Sequence, residues 1–159
     1  MLQVRICKKI LLSLLLLFLV MQFFRPARNV AASPGGHDLA ERYSAPPEVR
    51  SLLQTACYDC HSNTTRYPWY AEVQPVGWWL ADHVRDAKAE LNFSELGAAS
   101  PKRLQRKLDA ASDEVTDRTM PLRSYTLLHR EARLTEAQRK LLTDWFDAVR
   151  EQLPDQPAK

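Results

Sequence analysis

Cysteine is scarce in this sequence, which has 3 cysteines among 159 residues. Cys57 and Cys60 are three positions apart, and Cys7 lies close to the N-terminus. Thiols in this arrangement do not form the paired framework of a small disulfide-stabilised protein. A structural zinc site would need a second pair of cysteine or histidine ligands at suitable spacing, and Cys7 does not supply one. The sequence therefore excludes both of these ways of stabilising a small domain.

Patterns typical of β-sheets and of repeat proteins are also missing. The chain has no alternating run of β-branched residues, no Asn-Gly hairpin signal and no internal repeat. Prolines and capping residues instead precede segments whose apolar residues recur with helical spacing. We predict helices that begin near Ser44, Pro75, Ser100 and Thr135. The fold class is predicted to be all-α.

A real excess of positive charge is missing too, although the formal net charge is +3. Five of the 22 basic residues lie before residue 33, where no acidic residue occurs. The remainder has 17 basic residues against all 19 acidic ones, which is a net charge near −2. This balance excludes a nucleic-acid-binding protein.

A run of apolar residues occupies positions 10–24 and follows Arg5, Lys8 and Lys9. Positive charge before such a run places the N-terminus inside the cell. We therefore predict one transmembrane helix in 1–24, a location in the bacterial inner membrane, and a domain on the periplasmic side. A cleaved signal segment ending near Val30-Ala31-Ala32 is the alternative, and the charges of Arg25 and Arg28 disfavour cleavage.

The remaining chain divides by composition into a linker, one domain and a tail. Residues 25–43 contain Ser33-Pro34-Gly35-Gly36 and no apolar periodicity, which predicts a flexible tether. Residues 44–153 have the length of a single domain with one core. Residues 154–159 are predicted to be a disordered tail.

The most informative motif is Cys57-Tyr58-Asp59-Cys60-His61. The C-x-x-C-H pattern is typical of covalent attachment of a c-type haem. Two thiols on one helical turn can reach two vinyl groups, and the adjacent imidazole of His61 can bind the iron. A thioredoxin-like motif would need a βαβ context and no histidine. We therefore predict one covalent haem c, attached through Cys57 and Cys60 with His61 as iron ligand.

The second iron ligand is predicted to be Met120. It lies in the proline-containing segment Arg118-Thr119-Met120-Pro121-Leu122, between two predicted helices. A loop can place a thioether across the second face of a haem, whereas a methionine that only fills a core is more typical of a helix. His83 and His129 are alternative ligands, and His37 is expected to be solvated in the tether.

Aromatic residues cluster after the motif and are predicted to pack around the haem. They can also simply enclose a large flat cofactor without further roles. Their polar atoms, together with a nearby guanidinium, could bind the propionates and tune the potential. The candidates are Arg66, Tyr67, Trp69, Tyr70 and Trp79.

Several blocks of the sequence together carry a family resemblance. They are Gln22–Pro26, Cys57–Tyr70, Pro75–Leu80, His83-Val84, Leu91–Glu95, Met120-Pro121, Tyr125–His129, Leu134–Glu136 and Trp145. These blocks resemble the bacterial haem-binding domain family of small cytochrome c-like proteins, with a helical cytochrome c-like domain around the haem. The resemblance extends over about residues 10–150 and departs at Leu96-Gly97-Ala98-Ala99-Ser100, where a tryptophan is expected. It implies a protein with one haem, tethered to the membrane in the periplasm, but no particular reaction.

Two functions are consistent with these residues. Ligation by both His61 and Met120 saturates the iron and leaves transfer of single electrons to redox partner proteins of the periplasm or inner membrane. A haem-based peroxidase or a gas or redox sensor would instead need a distal site that opens, and His83 or His129 as the acid–base group. We favour the electron carrier over the enzyme or sensor.

Overall fold

The computed structural model describes residues 2–31 and 36–154, and these fold into helices without a strand. Val30 and Thr64 form one isolated antiparallel bridge. The all-α prediction is confirmed for this part of the chain. The helices are α1 (Leu2–Met21), α2 (Leu39–Arg42), α3 (Pro47–Ala56), α4 (Tyr58–His61), α5 (Val76–Glu90), α6 (Phe93–Leu96), α7 (Pro101–Thr116), α8 (Arg123–Leu128) and α9 (Glu136–Glu151), with short 3-10 segments at Trp69–Glu72 and Arg130–Ala132.

Helices α3, α7 and α9 enclose the core. Their apolar residues recur every three or four positions, so each helix buries one stripe and exposes the rest. Phe93 of α6 lies between Tyr58 and Phe146, with ring centroids at 5.6 and 6.3 Å. The fully buried residues that join these helices are Val49, Leu53, Leu104, Leu108, Leu142, Phe146 and Val149.

Local signals predict where most of these helices begin. Thr135 and Gln138 form the predicted capping box at the start of α9. Pro101 begins α7 as predicted, although the side chain of Ser100 makes no capping hydrogen bond. Helix α3 begins at Pro47 rather than at Ser44, because Ser44 adopts a φ of 48° in the preceding turn.

The prediction of a transmembrane helix is wrong. Helix α1 forms, but no helix in the described part of the chain is long and apolar enough to cross a membrane. Arg5, Lys8 and Lys9 lie in its first half, and the uncharged part from Ile10 to Met21 rises only about 18 Å, against a hydrocarbon core of about 30 Å. The predicted single-pass localisation in the inner membrane depends on this helix and is wrong with it.

The segment predicted to be a flexible tether, 25–43, also differs from expectation. Leu39 is fully buried in the core, and the side chain of Asp38 caps α2 by accepting from the amide of Ala40 at 2.9 Å. Upstream, the side-chain amide of Asn29 donates to Ser62 O and Thr65 Oγ1, each at 2.9 Å. The described residues of this segment are thus attached to the domain. Residues 32–35 and, apart from Pro154, the predicted tail 154–159 lie outside the described residues.

Candidate functional site

Cys57, Cys60 and His61 lie close together on one helical turn. The chain changes direction at Cys57, and a new short helix begins there. Helix α3 ends at Ala56, and Cys57 adopts a φ of −124° before α4 begins. The carbonyl of Cys57 accepts hydrogen bonds from the amides of Cys60 at 3.2 Å and His61 at 2.9 Å. Both thiols are free and half-buried. The tight turn therefore presents two thiols and one imidazole from a stretch of five residues.

The imidazole of His61 is held by its Nδ1 atom. Nδ1 lies 3.0 Å from the carbonyl oxygen of Ala87 and 3.0 Å from that of Leu91, at the C-terminal end of α5. Carbonyl oxygens only accept hydrogen bonds, so Nδ1 must carry the proton. The lone pair of the neutral ring is then on Nε2. Burial lowers the pKa of His61, and the two carbonyls oppose that effect.

Two apolar cavities meet beside His61, and we call them together the slot. Each has a cavity volume of about 50 Å³. Ala56, His61, Met120 and Pro121 line both cavities. One cavity is also lined by Cys60, His83, Ala87, Leu122 and Tyr125, and the other by Cys57, Leu91, Phe93, Ala111, Val115 and Leu134. The structure therefore brings both cysteines, His61 and Met120 to one largely apolar space.

Met120 reaches the slot from a turn that ends α7. Arg118 adopts a φ of 61°, its amide donates to Val115 O at 3.3 Å, and the Thr119 amide donates to Glu114 O at 3.1 Å. This pattern is a Schellman motif, in which a left-handed residue satisfies the last carbonyls of a helix. The amide of Met120 also donates to Glu114 O, at 3.0 Å. The motif fixes the direction in which the chain leaves α7 toward the slot.

Arg139 of α9 holds the same turn from the other side. Its Nη1 atom donates to Val115 O at 2.8 Å and to Met120 O at 2.9 Å. One guanidinium thereby joins the end of α7 to the backbone of Met120. The position of Met120 is set by both helices.

A buried carboxylate lies between the two cysteines of the motif. Asp59 is 8% exposed and accepts hydrogen bonds from Arg66 Nε at 3.0 Å and from the Tyr125 hydroxyl at 2.7 Å. The backbone carbonyl of Asp59 accepts from Thr65 Oγ1 at 2.7 Å. Burial, together with the bonded carboxylate, raises the pKa of Tyr125. This cluster joins the motif to α8 and to the loop after α4.

Sequence reasoning missed Asp59 and Tyr125 as parts of the site. Tyr125 lines the slot, whereas the five predicted packing residues do not line either cavity. Whether these five residues contact a haem, as predicted, stays a prediction. Arg66 pairs with Asp59, and the Tyr67 hydroxyl accepts from the backbone amide of Asn29 at 2.7 Å. Trp69 is 79% exposed, and the Tyr70 hydroxyl lies 2.8 Å from His129 Nε2. The Trp79 ring packs at a tilt of 44° against His83, with ring centroids 4.0 Å apart.

The other histidines occupy different surroundings. His83 lines the slot, and its Nδ1 lies 2.9 Å from Trp79 O, which leaves the lone pair on Nε2 by the same argument as for His61. His129 stacks on Tyr125 at 4.3 Å and does not line the slot. His37 lines a separate cavity of about 440 Å³ beside α5 and α7. Of the alternative ligands, only His83 shares the space of Met120.

Burial keeps both motif thiols protonated. It raises the pKa of Cys57 to about 12 and that of Cys60 to about 11. Thiolates, not thiols, bind zinc and exchange disulfides. At neutral pH the folded chain therefore disfavours disulfide exchange by these cysteines.

The donor set of the slot fits a haem. An imidazole with its lone pair on Nε2 and a soft thioether are common axial ligands of haem iron. Apolar walls suit the macrocycle, and two thiols lie next to the imidazole in sequence. No group of three or more potential ligands among His, Cys, Asp and Glu that could hold a bare metal ion occurs in the described residues.

Comparison with known proteins agrees with this chemistry. A family model described as a haem-binding domain matches residues 16–148. No curated protein and no solved structure matches the chain.

Proposed function

This chain belongs to the haem-binding domain family, and on that premise we propose that it is a c-type cytochrome that carries single electrons. The observation that carries the proposal is the hydrogen bonding of His61. Its Nδ1 is committed to two carbonyl groups, and the slot that it lines also contains Met120 and both cysteines. The haem is the cofactor of the family, and the residue roles below are proposals.

Cys57 and Cys60 attach the cofactor in this proposal. Each Sγ–H would add across one vinyl group of a bound haem, so that sulfur bonds one carbon and the hydrogen goes to the other. No atom leaves and no oxidant is needed. Because burial raises the pKa of both thiols, we expect the additions to occur before the motif is buried by folding.

His61 and Met120 would hold the iron of a bound haem. The bonds from Nδ1 to Ala87 O and Leu91 O fix the tautomer of His61 and increase the basicity of Nε2. The thioether of Met120 is a soft donor, and it favours the reduced metal. When bound, the haem supplies an iron that gains and loses one electron. With His61 and Met120 both holding that iron, the chemistry left to it would be outer-sphere electron transfer.

Two measurements on the protein test this proposal. Extraction with acidified acetone leaves the colour on the polypeptide if the haem is covalent, and removes it otherwise. Optical spectra of the oxidised and reduced protein, with and without carbon monoxide, then report the axial ligands. We expect a low-spin reduced spectrum that carbon monoxide changes slowly. Rapid binding of carbon monoxide by the wild-type protein would reject the electron-carrier proposal.

One observation favours a second candidate, a haem-based peroxidase or gas sensor. His83 lines the slot with Met120, and its Nε2 has no hydrogen-bond partner in the described residues. If Met120 leaves the iron, an imidazole at this position is a suitable acid–base group. His83→Ala would then abolish peroxide turnover, while its loss has no effect on a simple carrier.

A further inference from the structure

We propose that helix α8 is the docking surface for an acidic redox partner protein. The inference rests on the proposed electron-transfer function and names the partner's chemistry. Three exposed leucines define the surface, which we call the α8 patch. They are Leu122, Leu127 and Leu128, with 37%, 69% and 63% of each residue exposed.

The α8 patch is continuous with the haem slot. Leu122 lines the slot and is also exposed at its mouth. Tyr125, one turn further along, lines the slot and bonds Asp59. The same short helix therefore contributes one wall of the slot and an apolar surface to solvent. This wall offers an electron that leaves a haem in the slot a path to the exposed leucines.

The charge around the α8 patch is positive, although the domain as a whole is slightly acidic. Arg123, Arg130 and Arg133 are exposed, and no ion pair in the described residues includes them. Glu131 is the one acidic residue between positions 122 and 133, and it faces His129 at 3.3 Å. A positive rim around an apolar centre complements a partner with a carboxylate rim. This complementarity points to an acidic electron-transfer protein.

The reaction at this surface is a transfer of one electron. A reduced partner is oxidised, and the ferric haem of this protein becomes ferrous. No bond forms or breaks between the two proteins. Attraction between opposite charges speeds the encounter and weakens as salt rises.

The test uses the haem-loaded protein and a small acidic [2Fe–2S] ferredoxin as the probe. Titration calorimetry with both proteins oxidised measures binding without electron transfer, and stopped-flow mixing with reduced ferredoxin measures the rate. We expect Arg123→Glu/Arg130→Glu to weaken binding and to slow reduction by about tenfold at low salt. Leu127→Ser/Leu128→Ser should weaken binding with less effect on the salt dependence.

The matched control is Lys102→Glu/Arg106→Glu, which reverses two exposed charges on α7 away from the slot. Equal losses in the two charge-reversal variants, or a rate that rises with salt, would overturn the docking proposal. So would a dimer that the leucine variant dissociates, because a second copy would then cover the patch. Failure of the electron-carrier function is distinguishable, since the protein would then bind carbon monoxide rapidly and would not exchange electrons with small inorganic reagents.

Discussion

The hydroxyl of Tyr125 donates a hydrogen bond of 2.7 Å to Oδ2 of Asp59, across 66 positions in the sequence. This bond joins the helix that follows Met120 to the turn that carries Cys57, Cys60 and His61. The two predicted axial ligands therefore belong to segments that one carboxylate holds together. Removing this hydrogen bond at Asp59 or at Tyr125 should lower the free energy of unfolding and should also disturb the binding of the iron by His61 and Met120.

Tyr125→Phe tests this connection. A hydrogen bond to a buried carboxylate contributes about 1.5–3 kcal/mol, so we expect the free energy of unfolding in urea to fall by about that amount. The loosened α8 segment should also let carbon monoxide bind the reduced protein faster. Tyr67→Phe is the control, because it removes the bond from the Asn29 amide outside the slot. Faster carbon monoxide binding in both variants would contradict a specific role for Tyr125.

Met120→Ala tests the proposed axial ligand. Loss of the thioether should open the iron, produce mixed-spin spectra, lower the reduction potential and give rapid binding of carbon monoxide. His129→Ala is the first control, because His129 does not line the slot. His83→Ala is the second, since His83 lines the slot beside Met120. A silent Met120→Ala variant, together with an open site in His83→Ala, would assign the ligand to His83.

Arg139→Met tests how the Met120 turn is held. The substitution keeps the apolar stem of the side chain and removes the bonds to Val115 O and Met120 O. We expect the rate of carbon monoxide binding to rise several-fold while the helical circular dichroism is unchanged. Arg150→Met is the control on the same helix, where the guanidinium pairs with Asp109 and Asp147. It should reduce stability slightly and leave the ligand rate unchanged.

Arg118→Gly should make the protein more stable. The positive φ of Arg118 is costly for a residue with a Cβ atom and free of strain for glycine. We expect the free energy of unfolding to increase by about 0.5–1 kcal/mol, since the exposed pair with Glu136 contributes little. Arg106→Gly, in the middle of α7, should instead lower it by about 1 kcal/mol. The two arginine-to-glycine changes thus have opposite expected signs in the same denaturation experiment.

Alkylation of the haem-free protein tests the protonation of the motif thiols. With a pKa of about 12 for Cys57 and about 11 for Cys60, both stay protonated at pH 8, so iodoacetamide should modify them far more slowly than the exposed Cys7. Because the pKa values are raised, the rate should increase about tenfold for each unit of pH up to the pKa. Mass spectrometry of the peptides measures each site. In guanidinium the three rates should converge, and a fast reaction of folded Cys60 at pH 8 would contradict the raised pKa of its thiol.

The features that sequence predicts well in this chain are local. The capping box of Thr135 and Gln138 and the proline at the start of α7 act within one turn of helix, so the bounds of these helices can be read from neighbouring residues. The motif 57–61 is equally local, and the haem attachment that it indicates stays a prediction. The transmembrane prediction failed because it counted the apolar run to residue 24, whereas the helix ends at Met21 and its first half carries three charges.

The features that the sequence did not predict depend on contacts between residues that are far apart along the chain. Leu39 looks like part of a linker until the core that buries it is formed. Asp59 occupies a variable position of the motif, and its partner Tyr125 belongs to another helix. The left-handed Arg118 has no signal, because glycine is the residue that normally marks such a position. These interactions nevertheless determine where Met120 lies.

The two carbonyl groups that hold His61 lie at the C-terminal end of α5, where Leu91 caps the helix and Ala87 O also accepts from the Leu91 amide at 2.9 Å. The side chain of the proposed iron ligand is therefore bonded to the end of a helix that begins 15 positions after it. Each residue of a helix turns the backbone by about 100° and advances it by about 1.5 Å. Inserting one residue into α5 would swing both acceptors away from the ring while every ligand remained in the sequence. The length of α5 thus determines how the ring of the proposed iron ligand is held. Homologous chains should therefore tolerate changes in the surface composition of α5 far better than changes in its number of residues.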